Sequence, residues 1–231
     1  MTGAAHPLDR PVWSALSSRQ APLALGDGRR ALRLAPDYGL FAAAADGREE
    51  SLSALAALIP PDGGLATVGV AEPGPVSGAK AEAHRVWQMT CLRLTDPGPP
   101  PGFAIVPLGD ADAAQMLALA TLTRPGPFFA RTHRLGDFVG VKDAEGRLLA
   151  MAGERMKLAG FTEVSGVCTD PACRGRGYAG ALMRVVAGRI LQRGETPFLH
   201  SYAHNTGAIG LYESLGFTLR AEVAMTVLTR A

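Results

Sequence analysis

From Phe161 to Gln192 the chain runs from an apolar, β-branched stretch into two closely spaced glycines and then straight into an amphipathic helix. Few architectures accommodate that order. Phe161–Thr169 reads as a strand. Arg174-Gly175-Arg176-Gly177 is a turn, and Gly177–Gln192 reads as a helix that stops at Gly194. Tyr178, Ala181, Leu182, Val185, Val186 and Ile190 form its apolar stripe. The first N–H groups of such a helix lack intrahelical partners, and the aligned peptide dipoles leave that end partly positive. Glycines let a ligand come close to the backbone, and Arg174 and Arg176 add charge-assisted donors. The segment therefore reads as a phosphate or pyrophosphate site. A Walker loop requires Gly-Lys-Ser/Thr, which is missing, and the glycine spacing does not fit a dinucleotide fingerprint.

The elements around it read as α/β. Phe103–Pro107 is a short strand, and Asp110 is the expected N-cap of a helix reaching about Thr121. Phe138–Lys142 and Leu148–Met156 are strands joined by the Asp143–Arg147 turn. Pro197–Tyr202 is a strand, Asn205–Leu215 a helix closed by Gly216, and Phe217–Leu228 a final extended run. The first hundred residues are less distinct: a helix within Pro11–Gln20, strands at Gly39–Ala45, Leu65–Val70 and Val86–Leu94, and a helix at Glu49–Ile59. Asp96–Gly102 holds four prolines and two glycines in seven residues, which no helix or central strand tolerates. It is the expected linker between an N-terminal region, 1–101, and a C-terminal domain, 102–231.

Composition removes several classes of function. Net charge is +2 and no basic block is present, which argues against a nucleic-acid surface. Apolar runs such as Leu40–Ala45 are too short to span a bilayer, and Met1–Arg10 lacks the pattern of a secretory signal. Cys91, Cys168 and Cys173 form no disulfide framework, so a reducing cytoplasm is the expected location.

Arg174-x-x-Gly177-x-Ala179 resembles the Arg/Gln-x-x-Gly-x-Gly/Ala signature of the GNAT acetyltransferase superfamily. Asn205-x-x-Ala208-x-x-Leu211-Tyr212-x-x-x-Gly216-Phe217 resembles that family's second conserved segment. The two occur in order, with a strand between them, and the resemblance spans roughly Phe103–Leu228. It implies the GNAT acyl-CoA N-acyltransferase fold, α/β (α+β), a mixed twisted sheet flanked by helices. A smaller N-terminal lobe precedes it, and a degenerate GNAT-like lobe is one reading its pattern permits. It also implies acetyl-CoA as co-substrate, no metal, and acetyl transfer to a primary amine of a small molecule, amino acid or peptide by direct attack in a ternary complex. Monomer and homodimer both remain open.

The resemblance assigns roles to residues. The carrier would lie between Phe161–Thr169 and Pro197–Tyr202, with backbone at Val167, Cys168 and Thr169 along its pantetheine arm. Arg174, Gly175, Arg176, Gly177, Tyr178 and Ala179 would hold its pyrophosphate. Tyr212 is the expected proton donor to the departing thiolate, with ring packing as the alternative. Glu163, an acid inside an apolar strand, is the candidate base, the alternative being a structural acid paired with Arg155. A bulge at Gly166 would change which face it takes. Asn205 either touches pantetheine or caps its helix. Phe128 is a candidate acceptor contact, as are Arg131, which would hold a substrate carboxylate and whose alternative is a solvated arginine, and His200, whose alternative is plain packing. Cys168, Cys173, His200 and His204 resemble a zinc set on paper, but a whole helix separates the pairs. The competing function is a non-catalytic acyl-CoA-binding sensor or interaction module of the same fold.

Overall fold

The computed structural model describes residues 6–96 and 102–231; most of the proline-rich linker lies outside the described residues. Eleven strands and five α-helices follow one another in the described chain. The first unit is α1 (Pro11–Leu16), β1 (Ala24–Gly26), β2 (Ala31–Leu34), β3 (Ala42–Ala44), α2 (Glu49–Ala57), β4 (Gly64–Gly69) and β5 (Ala79–Thr90). Next come β6 (Val106–Leu108), α3 (Ala113–Thr123), β7 (Phe138–Lys142), β8 (Leu148–Leu158) and β9 (Phe161–Thr169). The chain ends with α4 (Tyr178–Gln192), β10 (Thr196–Tyr202), α5 (Thr206–Ser214) and β11 (Thr218–Arg230).

β1, β2 and β3 make a small antiparallel sheet, and the other eight strands form one sheet ordered β4-β11-β5-β10-β9-β8-β7-β6. Only β9 and β10 run parallel within it, as a β–α–β crossover through α4 requires. The sheet runs across the boundary expected at Gly102. β5, from before it, pairs with β10 along Val86–Thr90 and with β11 along nearly its whole length. Partners more than a hundred residues apart leave no periodic trace in sequence. β1 and β2 were not expected, and β5 starts seven residues before the expected Val86.

Side-chain alternation divides the sheet between two apolar layers. Val139, Ala150, Ala152, Val164 and Leu199 pack under α4 with Leu182, Val186 and Ile190. Phe138, Met151 and Cys168 turn the other way, toward Met116 and Leu119 of α3. On that same side Phe198 and Met156 meet Val12 and Leu16 of α1. α3 begins later than expected: Asp110 lies in a 3-10 turn, and its carboxylate accepts from His133 and Arg134 instead of capping the helix. Those donors, Arg134 foremost, hold the Asp110 carboxyl at about 2.

Candidate functional site

β9 and β10 are in register only from Thr196↔Phe161 to Phe198↔Glu163. β10 then continues on β5, while β9 stays on β8. The two parallel strands therefore part, and past Glu163 β9 turns an unpaired backbone edge into the gap. Register against β8 slips between Met151↔Cys168 and Gly153↔Ser165, where Gly166 takes φ 63°. This is a β-bulge at a residue able to adopt the left-handed region. It reverses the alternation, so Val167 joins the α4 layer and Cys168 the α3 layer.

A cleft of about 420 Å³ opens where the strands part. Val167, Cys168 and Thr169 line it along β9, the Arg174–Ala179 turn closes one end, and Asn205 and Tyr212 of the α5 segment form the opposite wall. Gly175 (φ 77°) and Gly177 (φ 78°) are left-handed, and a Cβ on either would project into open space. The first helical bond of α4 runs from the Ala181 N–H to the Gly177 carbonyl. None of the six consecutive amides from Gly175 to Gly180 has an acceptor among the described residues. Arg174 and Arg176 are exposed and make no ion pair there. The turn thus presents unpaired donors and positive charge to the cleft, as a diphosphate requires.

The other expected site residues divide. The Tyr212 ring packs at the edge of the α4 layer, its centroid 6.4 Å from that of Phe217, and its hydroxyl has no partner among the described residues. Burial raises its pKa, so it stays a phenol. Asn205 caps α5 through a long 3.4 Å bond from the Ala208 N–H, and it also lines the cleft. Tyr178 stacks edge-on against Phe103 at 4.7 Å, so its side chain serves packing. Burial pushes the Cys168 thiol up to about 11, which leaves it a poor nucleophile.

Glu163 does not reach the cleft. Its side chain is fully buried on the α1 side, where Arg155 Nε and Nη2 donate to its two oxygens at 2.8 Å each. His200 Nδ1 lies 2.8 Å from Oε1. Burial pushes this carboxyl up, but the charge and hydrogen bonds of Arg155, helped by His200, outweigh it and hold the pKa at about 2. Such a group neither meets an amine nor takes a proton near neutrality, so the reading as a structural acid paired with Arg155 stands in place of the base. His200 is committed likewise, its Nε2 facing Gln88 Nε2 at 3.1 Å, and it packs instead of contacting an acceptor. Arg131 is drawn to Asp37 at 3.7 Å, away from the cleft. Phe128 packs on Phe138 with ring centroids 5.8 Å apart. Among the described residues no His/Cys/Asp/Glu group could hold a metal ion.

The sequence reading missed Arg124. It ends α3 at φ 49°, the single non-glycine residue with positive φ among those described, and lines the cleft with Thr123 and Pro125. Its guanidinium has no ion-pair partner there. The Pro-Gly-Pro run that follows was the available signal, since a helix cannot continue into it.

Residues 139–226 match the family profile described as FR47-like protein. A protein of known structure assigned as a GNAT-family acetyltransferase, from Novosphingobium aromaticivorans, is 45% identical to the chain. The match covers 98% of this chain and 100% of that one, with a TM-score of 0.87. A GCN5-related N-acetyltransferase from Kribbella flavida is 19% identical, covering 98% and 97%, with a TM-score of 0.67. A GCN5-related N-acetyltransferase-like protein from Streptococcus suis is 16% identical, covering 94% and 92%, with a TM-score of 0.56. At their identities these last two establish the fold alone. No curated protein matches the chain. The chain belongs to the GNAT acetyltransferase family and is an acyltransferase. No helix among the described residues is long and apolar enough to cross a membrane.

Proposed function

We propose that the chain transfers the acetyl group of acetyl-CoA to a primary amine of a small molecule, amino acid or peptide, within a ternary complex. One observation supports this above the rest: unpaired amides, free arginines and an unpartnered tyrosine hydroxyl converge on a single cleft between parting parallel strands. Diphosphate on the Gly175–Gly180 amides and pantetheine along the free edge of β9 would bring the thioester toward Tyr212. Tyr212 then donates its proton to the departing thiolate. An amide on the β9 edge, at Val167 or Cys168, steadies the tetrahedral oxyanion. The raised pKa of Cys168 supports direct attack over an acyl-enzyme.

Among the described residues no aspartate, glutamate or histidine lines the cleft. The amine therefore reaches the thioester in its neutral form, without a carboxylate base. Mixing the protein with acetyl-CoA and a panel of amines should release free CoA. Tyr212→Phe should lower kcat by about 10² while coenzyme affinity holds. An unchanged kcat removes the acid role, and tight CoA binding without turnover on any amine would favour the sensor reading.

A further inference from the structure

The N-terminal half contains a second notch of the same construction. β3 leads through a short turn into α2 and on to β4, and β3 and β4 approach in parallel through the bridge Phe41↔Ala66. Past that bridge β4 pairs, among the described residues, only with β11. A pocket of about 460 Å³ opens at this divergence, at the start of the crossover helix, as the first cleft does at α4. Divergence past the carboxyl ends of parallel strands is where α/β sheets take ligands.

Its chemistry is the reverse of the first. Where α4 follows Arg174-Gly-Arg-Gly177, α2 follows Asp46-Gly47-Arg48, and Glu49 and Glu50 occupy its first turn. Those carboxylates already answer the positive end of the helix, so an added anion gains nothing there. Asp46 and the exposed Glu72 stand in the pocket wall. Asp46 accepts from the Arg48 N–H at 3.0 Å and lies 3.6 Å from the exposed Arg48 guanidinium, a surface pair that an ammonium can replace, and Glu72 has no ion-pair partner among the described residues. The wall's arginine, Arg10, keeps its charge, but its guanidinium donors are turned to the carbonyls of Ala44 and Ala45. Leu52 and Leu55 supply apolar wall. Thr67 also lines the pocket and is only 8% exposed, and its hydroxyl has no partner. Alternation along β4 turns Thr67 to the same side as Leu65, which packs with Leu52 and Leu55 of α2. Buried hydroxyls are normally paired, so an unpaired one in a pocket wall marks a position for a ligand's polar group.

We propose that this second notch binds a small organic cation. Its aliphatic or aromatic body rests on Leu52 and Leu55, its ammonium faces Asp46 and Glu72, and Thr67 supplies a hydrogen-bonding group. The site is separate from the acetyl-transfer cleft and does not depend on the reaction proposed for it. The test is calorimetric titration of the full chain, saturated with CoA, using hexylamine with hexanoate and hexanol as controls of equal length. Hexylamine should bind one to one and the controls should not. Glu72→Gln with Asp46→Asn should weaken it about tenfold, and isosteric Thr67→Val several-fold, with KM for acetyl-CoA unchanged. Absence of hexylamine binding, equal binding of either control, or full affinity in both variants would overturn the proposal.

Discussion

Glu163 shows how one side chain changes meaning once its surroundings are known. In sequence it is an acid that interrupts an apolar strand, a pattern that suits a general base. In the fold it is the hub of a buried ion pair with Arg155, itself stacked over Phe41 with its guanidinium carbon 4.7 Å from the ring centroid. Leaving the Arg155 charge buried without its partner is costly, so Glu163→Gln should destabilise the protein by about 3–5 kcal/mol in chemical denaturation. Turnover per folded molecule should remain largely intact. The same pair gives a pH signature. The folded pKa lies below the ordinary 4.5, at about 2, so the stabilisation is complete above 4.5 and is lost as pH falls toward 2. Melting followed through that window should show a steeper acid decline in the native protein than in Glu163→Gln. Activity should carry a different profile. With no carboxylate or histidine among the described residues of the cleft, kcat/KM should rise with pH until the acceptor amine's own pKa, about 10 for an alkylamine. A plateau beginning near pH 6 or 7 would show a base that the cleft geometry lacks.

The decisive element is the turn from β9 into α4. Gly177→Val would place a β-branched residue at φ 78° and project its side chain into the space assigned to the diphosphate. CoA affinity should fall by at least about 100-fold with the sheet intact, measured by calorimetry beside circular dichroism. This element was legible in sequence because its signals are local: glycines at the turn, a 3.6-residue stripe, a stop at Gly194. β7 and β9 matched their expected limits for the same reason, being apolar runs between clear turns. The facing of Glu163 was not legible, because it follows from strand register and from packing under α1, which are set by non-local pairing. The choice between the two readings of Arg131 was not legible for a related reason: a loop arginine has no periodicity, and its partner Asp37 lies 94 residues away.

At the scale of the molecule, the N-terminal region completes the sheet that carries the cleft. β5 is hydrogen-bonded on both sides by strands from the other half of the chain, and Gln88 on β5 donates to the Leu8 carbonyl while facing His200. We propose one cooperative folding unit in place of two separable domains. A fragment spanning 102–231 would expose the facing edges of β10 and β11, an aggregation hazard. It should fail to fold as a soluble monomer, and the full chain should melt in a single transition by calorimetry. A soluble, CoA-binding fragment would restore the two-domain division. The linker read from its prolines lies mostly outside the described residues, but strands from either side of it share one sheet, and composition carries no record of that pairing.

The most direct test of the whole account is a crystal structure of the protein with CoA. The account predicts diphosphate oxygens within hydrogen-bonding distance of the Gly175–Gly180 amides, and a pantetheine arm along β9 that brings its sulfur near the Tyr212 hydroxyl. CoA bound elsewhere, or a cleft closed by its own side chains with those amides paired internally, would contradict it.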